Sequence, residues 1–194
     1  RDVERSRGLG DVYKRQLHQS RQWLEPSTRI SMDEWNVWYA WYRPSSVTDG
    51  IYAALALHML MEEAEKSGVA LACHFQAVNE GMMCVKPDRV TLTAQGQVFS
   101  RMNRWHMGNR LCSASQEAVV TADREGRVSA TVVNAAFRSE KPVDFSAFGP
   151  CSEAVLLSSE TVLPPSEFTV TDVLEQAAGG TFQMPPHSVL FLRF

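Results

Sequence analysis

Asp33 and Glu34 stand side by side in the stretch RISMDEWNVWYAWY, residues 29–42, with Trp35, Trp38, Tyr39, Trp41 and Tyr42 around them. Core positions rarely carry two carboxylates unless those are paired, hydrogen-bonded or chemically at work, and for a carboxylate that work is nucleophilic or acid–base. Side chains alternate along an extended chain. Glu34 and Asn36 therefore project to one side and Asp33 to the other, so Asp33 reads more as an anchor than as an attacking group, while Glu34 reads equally as a working carboxylate or as a strand-end group capping a loop. A second polar candidate is Gln76, just past the apolar run VALACHF. Trp38 reads either as a wall of a binding site or as core, while Trp35, Trp41 and Tyr42 read as packing. His58 and His106 have no Cys, His or carboxylate partner at metal-ligand spacing and read as structural. His74 reads as a core histidine near the site.

Composition removes several function classes. With 44% hydrophobic and 21% charged residues the chain can bury a core, and 19 basic against 22 acidic residues offer no basic excess for nucleic acid or an anionic membrane. The four cysteines, Cys73, Cys84, Cys112 and Cys151, form no Cys-x-x-Cys or Cys/His cluster. Neither a zinc site nor a disulfide framework is expected, and a reducing compartment fits best, so a bacterial cytoplasmic location is favoured over secretion. The run AALALHML is far short of the roughly 20 residues of a spanning helix. The first residues, RDVERSRGLGDVYKRQ, have no methionine and no apolar core, and DVYKRQ resembles read-through sequence at the ends of metagenomic fragments. Residues 1–16 are therefore set aside as a non-native or disordered leader, and the chain is expected to be truncated there.

Elements that would position these groups follow from periodicity. Residues 29–32 alternate as a short strand that ends at Asp33-Glu34. Thr48 and Asp49 cap a helix expected over about Asp49 to Lys66, with Gly68 as its stop. VALACHF then reads as a parallel strand buried on both faces, and LTAQGQVFSRMNRWH as a second helix, Leu92 to about Trp105, weakened by Gly96. Beyond Gly108 the pattern changes. EAVVTADREGRVSATVVNA is a hairpin around Glu125-Gly126, and EAVLLSS, FTVTDVL and HSVLFLRF are further strands of an antiparallel sandwich. The expected organisation is a β/α piece over 17–107 and an all-β domain over 108–194. In a parallel barrel, catalytic groups sit at the carboxyl ends of strands, where this reading puts Glu34 and Gln76.

DEWNVWY, residues 33–39, resembles the nucleophile motif of glycoside hydrolase family 51, the α-L-arabinofuranosidases. VALACHFQAVNEG is similar to that family's eighth barrel strand, and PPHSVLFLRF to the end of its sandwich domain. The resemblance covers about residues 29–194. It implies a fold of α/β plus all-β type: the last βα units of a (β/α)8 TIM barrel followed by a carboxyl-terminal antiparallel β-sandwich. It also implies retaining hydrolysis of terminal α-L-arabinofuranosyl groups, with Glu34 as nucleophile, Trp38 as a wall of the arabinose site and Gln76 bonded to the sugar. Asn36, on Glu34's side of the strand, joins the substrate-binding residues.

Such a reaction needs one carboxylate to attack the anomeric carbon and a carboxylic acid about 5 Å away to protonate the leaving oxygen. Flanking aromatics would cover the sugar's CH faces and exclude water. The family's acid/base glutamate follows an Asn on strand four, which this chain lacks; Asn79-Glu80 imitates the dipeptide on the wrong side of the nucleophile and reads as a solvated loop charge. The segment GMMCVKPDRV, residues 81–90, does not match. The expected partner is an arabinofuranosyl-containing oligosaccharide or polysaccharide, without metal, cofactor, nucleic acid or membrane, and homo-oligomerisation is left open. The chain alone is expected to be inactive. Rival readings are another retaining hydrolase of the same barrel clan and a non-catalytic carbohydrate-binding module.

Overall fold

Capping chemistry and period-two alternation account for most of the element boundaries. The computed structural model describes residues 2–37 and 43–194. Helix α1 (Asp2–Gln22) comes first, followed by strand β1 (Ile30–Trp35), helix α2 (Val47–Lys66) and strand β2 (Val69–His74). The leader is thus helical from Asp2 rather than without order, and Lys14 holds it to α2 by an ion pair with Glu62 at 2.7 Å. Helix α2 starts two residues before the expected position, because Ser46 and not Thr48 is its N-cap: the Asp49 carboxylate turns back to accept the Ser46 N–H at 2.8 Å. Arg43 donates to the same carboxylate at 2.8 Å. Gly68 ends the helix at φ 73°, where a side chain would be strained.

Strands β1 and β2 pair in parallel, with α2 as their crossover. Two corrections concern this pair. Strand β1 does not end at Asp33-Glu34 but carries both within it, through Trp35. Strand β2 is not buried on both faces; Ala70, Leu71 and Cys73 are exposed, since β1 is its only strand partner among the described residues. No closed barrel exists among the described residues.

A short hairpin of β3 (Met83–Val85) and β4 (Val90–Leu92) precedes helix α3 (Ala94–Trp105), which Thr93 caps by accepting the Gly96 N–H at 3.2 Å. Gly96 belongs inside this helix for steric reasons, because a Cβ there would lie 1.9 Å from the Met82 carbonyl oxygen. The remainder is β5 (Asn109–Ser115), β6 (Ala118–Ala122), β7 (Val128–Asn134), β8 (Lys141–Asp144), β9 (Glu153–Ser158), β10 (Thr169–Asp172), the single-turn helix α4 (Leu174–Ala177), β11 (Thr181–Met184) and β12 (Ser188–Arg193). Six of these strands form one antiparallel sheet in the order β10-β9-β12-β7-β6-β5, and β8 pairs with β11 in a second sheet. The β6–β7 turn closes where expected, with Asp123 accepting the N–H groups of Glu125 and Arg127 and Gly126 at φ 81°.

Both faces of the large sheet are covered. On one, Val133, Leu157, Val189 and Phe191 pack against Val47, Ile51 and Ala54 of α2 and Val98 and Met102 of α3. On the other, Val132, Leu156, Leu190 and Leu192 meet Met184 and Phe145, with Val143 and Phe182 of the small sheet alongside. This double burial explains the unbroken apolar run of β12, whose odd and even residues serve opposite layers. Each such side chain contributes roughly 1.5–3 kcal/mol.

Two histidines sit in the helix–sheet junction. His58 Nδ1 is 2.9 Å from the Gln116 carbonyl oxygen, and His106 bridges the Thr121 and Thr131 hydroxyls at 2.9 and 2.6 Å. Burial pushes His58 down to about 4, against the opposing Gln116 bond. Burial, with nearby His58 and Arg193, takes His106 down to about 3. Both are neutral at pH 7, and an unfolded chain takes up protons below about 6.5 before the folded one does. Stability is therefore complete above pH 6.5 and declines as pH falls toward these lowered values. Urea unfolding should show a loss of roughly 2–5 kcal/mol between pH 6.5 and 4.5. His106→Gln should flatten that slope, and a midpoint constant over the window would refute the assignment.

Candidate active site at the carboxyl ends of the parallel strands

Parallel pairing levels the ends of β1 and β2. Trp35 is the register partner of His74, and the Phe75 N–H donates to the Trp35 carbonyl at 3.1 Å. Glu34, immediately before Trp35, and Gln76, two residues after His74, therefore sit at the same end of the pair. The register shifts between Met32 and Trp35, so strict alternation lapses at the two carboxylates. Asp33 accepts a hydrogen bond from the Ser31 hydroxyl, two residues back on the strand, in keeping with an anchoring role. Glu34 and Gln76 are both exposed, and neither side chain has an ion pair or hydrogen bond among the described residues.

Below them lies an aromatic floor. Trp35 is 2% exposed, its ring edge-on to His74 at 4.8 Å and stacked on Phe99 at 6.4 Å. The His74 Nε2 is 2.9 Å from the Oε1 of buried Gln95. Burial lowers the His74 pKa and the Gln95 bond opposes it, so the ring is neutral at pH 7. Trp35 Nε1, His74 Nδ1 and Gln95 Nε2 are buried without a hydrogen-bond partner among the described residues.

Asn36 ties this end together. Its Nδ2 donates to the Glu80 carbonyl at 3.0 Å and its Oδ1 accepts the Val37 N–H at 2.6 Å, which binds β1 to the loop after β2. Asn79, at φ 61°, accepts the Val85 N–H at 2.7 Å through its side chain. Its amide is thereby committed to the β3–β4 hairpin. Trp38, expected as a wall of the sugar site, lies outside the described residues.

Sequence reasoning passed over Gly81 and Gln95. A Cβ on Gly81 would lie 2.4 Å from His74 Cε1, 2.7 Å from the Gln76 carbonyl and 3.2 Å from Asn36 Nδ2, so the glycine sets how closely the loop approaches the strand ends. The only sequence signal was a Gly after Asn-Glu, which reads equally as a loop residue. Gln95 left no signal, because a polar residue in a first helical turn is ordinarily solvated.

The larger cavities are elsewhere. One of about 690 Å³ lies between Arg21, Arg29, Lys66 and Arg110, toward the amino ends of the strands, and Glu34 and Gln76 line neither it nor the four other cavities. The surface around Glu34 is an open rim. Chemistry weighs against the large cavity: three of its four cations are engaged, Arg110 with Glu65, Lys66 with Glu62, and Arg21 with backbone carbonyls. Among the described residues no group of three His, Cys, Asp or Glu is placed to hold a metal, and no helix is long and apolar enough to cross a membrane.

No protein-family sequence pattern and no curated protein matches this chain. Solved structures do. An α-L-arabinofuranosidase from Thermotoga maritima, solved as an arabinose complex, aligns over 94% of this chain and 48% of its own with a TM-score of 0.71 and 19% identity. A family 51 α-L-arabinofuranosidase from Bifidobacterium longum aligns over 99% and 49% with a TM-score of 0.73 and 14% identity. A family 44 xyloglucanase from Paenibacillus polymyxa aligns over 91% and 34% at 0.59 and 12%. The chain thus has the fold of part of these glycoside hydrolases, and it spans about half the length of the two arabinofuranosidases.

Gly81→Ala should force the 76–82 loop away from the strand ends, at a cost of roughly 1–3 kcal/mol. Urea unfolding and the imidazole resonances of His74 report on this. An unchanged midpoint with unchanged resonances would show that the close packing at Gly81 is not required.

Proposed function

We propose that this chain is the carboxyl-terminal part of a retaining α-L-arabinofuranosidase of glycoside hydrolase family 51, which releases terminal α-L-arabinofuranosyl groups from oligosaccharides or polysaccharides. The observation that carries the reading is the level pairing of β1 and β2, by which Glu34 and Gln76 come to one end of a parallel pair above an aromatic floor. The DEWNVWY motif and the fold shared with arabinofuranosidases over nearly the whole chain support it. On this reading β1–α2–β2–α3 are the last two βα units of a (β/α)8 barrel. The exposure of Leu71, at 56%, fits a strand whose further neighbours belong to the rest of such a barrel.

The Glu34 carboxylate attacks the anomeric carbon as the bond to the leaving oxygen breaks, and a carboxylic acid from the other part of the enzyme protonates that oxygen. Water then hydrolyses the glycosyl ester with overall retention. Gln76 holds sugar hydroxyls, and Asn36 fixes the loop that carries it, besides any contact of its own with the sugar. Alone, the 194-residue chain lacks the acid partner and does not turn over. A second reading, another retaining hydrolase of the same clan, is favoured by the likeness to the xyloglucanase.

Glu34→Gln in the intact parent enzyme should lower kcat on an aryl α-L-arabinofuranoside by roughly three orders of magnitude or more while leaving its unfolding midpoint unchanged. Retention of most activity would exclude Glu34 as nucleophile. Turnover of xyloglucan, with none of the arabinofuranoside, would select the second reading.

A further inference from the structure

Two contiguous hollows of about 560 and 580 Å³ lie on the sandwich, and both are lined by Phe137, Arg138, Glu160 and His187. The first hollow runs on to Arg43, Ser46 and Thr48, at the amino end of α2. The amino end of a crossover helix lies on the same side as the carboxyl end of the strand before it, so the first hollow begins at the end of the β1–α2 unit at which Glu34 stands.

The walls are held in advance of any ligand. Asn134, 3% exposed, donates through Nδ2 to the carbonyls of Ser139 and Pro185 at 2.9 Å and of Met184 at 3.2 Å, and accepts the Ala136 N–H at 3.1 Å. One buried amide thereby locks the loop that carries Phe137 and Arg138 to the loop that carries His187. The His187 ring stands edge-on to Phe137 at 5.2 Å. Phe137 is nevertheless 62% exposed, with the Arg138 guanidinium 5.8 Å from the centre of its ring. Arg138 and Glu160 make no ion pair among the described residues. An exposed aromatic ring fixed by a buried polar network, beside one unpaired cation and one unpaired anion, is a surface for a ligand that is apolar on its faces and hydroxylated at its rim.

We infer that this cleft is a glycan-chain subsite: Phe137 takes the CH face of a sugar ring, and Arg138 and Glu160 donate to and accept from its hydroxyls. The chemistry excludes simpler occupants. An anion would meet Glu160 as well as Arg138, and Arg43 is already paired with Asp49. A wholly apolar segment would strand both free charges. Sugar hydroxyls donate and accept at once, which is what a neutral, mixed wall demands. The inference rests on the proposed function only in taking the bound sugar to be part of the polymer whose end Glu34 cleaves; the cleft thereby deepens that reading to a chain of several residues rather than a single terminal arabinose.

Titration of the 194-residue chain with a linear arabino-oligosaccharide and with a xyloglucan oligosaccharide, read by amide chemical shifts and calorimetry, tests this. Shifts should fall on Phe137, Arg138 and His187, and Phe137→Ala and Arg138→Ala, both at exposed positions, should each weaken binding at least about tenfold. Binding of the xyloglucan oligosaccharide alone, with the same dependence on Phe137, would uphold the cleft and remove arabinan as its polymer. Absence of binding by both oligosaccharides, or binding indifferent to Phe137→Ala and Arg138→Ala, would overturn the inference while leaving the assignment of Glu34 untouched.

Discussion

The parallel pairing of β1 with β2 is the constraint on which the candidate site depends. Parallel neighbours cannot be joined by a tight turn and need a crossover, here α2. That helix has little freedom, because Val47, Ile51 and Ala54 are buried against β7, β9 and β12, and the Asp49 carboxylate fastens its first turn to Ser46 and Arg43. The burial of one face of an antiparallel sheet thus fixes where two parallel strands end.

Elements with a strong period or a buried face were legible in the residues. Helix α2, the β6–β7 hairpin and strands β9 and β12 follow the alternation or the helical repeat that burial imposes, whereas β10, exposed at all four positions, follows only its β-branched residues. Strands β3, β4, β8 and β11 escaped because three or four residues carry almost no period, and β8 includes Pro142, which argues against a strand until its edge position is known. Strand β2 misled in the opposite sense: an apolar run reports what a segment is suited to bury, and β12 realises that suitability on both faces whereas β2 does not. Residues 1–16 were set aside because DVYKRQ resembles read-through sequence and no methionine or apolar core precedes it, which says nothing of whether a helix carrying Lys14 can dock on a neighbouring one.

The site shows the same division. Glu34, Asn36 and Gln76 could be singled out because a carboxylate among aromatics and an amide at a strand end are odd for their setting. Gly81 and Gln95 could not, since their importance is steric and relational: one is small where His74 approaches, the other is buried against a half-buried imidazole. Trp35 illustrates how a floor and a reactive group can share one strand, with adjacent residues 34 and 35 exposed and buried respectively. The sandwich loops add an independent preorganised surface through a single amide, Asn134, whose neighbours in sequence look like ordinary hairpin residues.

The identity of the attacking carboxylate is the claim to examine most directly. The intact parent enzyme, inactivated with an activated arabinofuranoside whose glycosyl ester hydrolyses slowly, should carry one added sugar on the peptide that contains DEWNVWY, with the ester on Glu34. A sugar ester on any other carboxylate, or complete inactivation with Glu34 unmodified, would contradict the account.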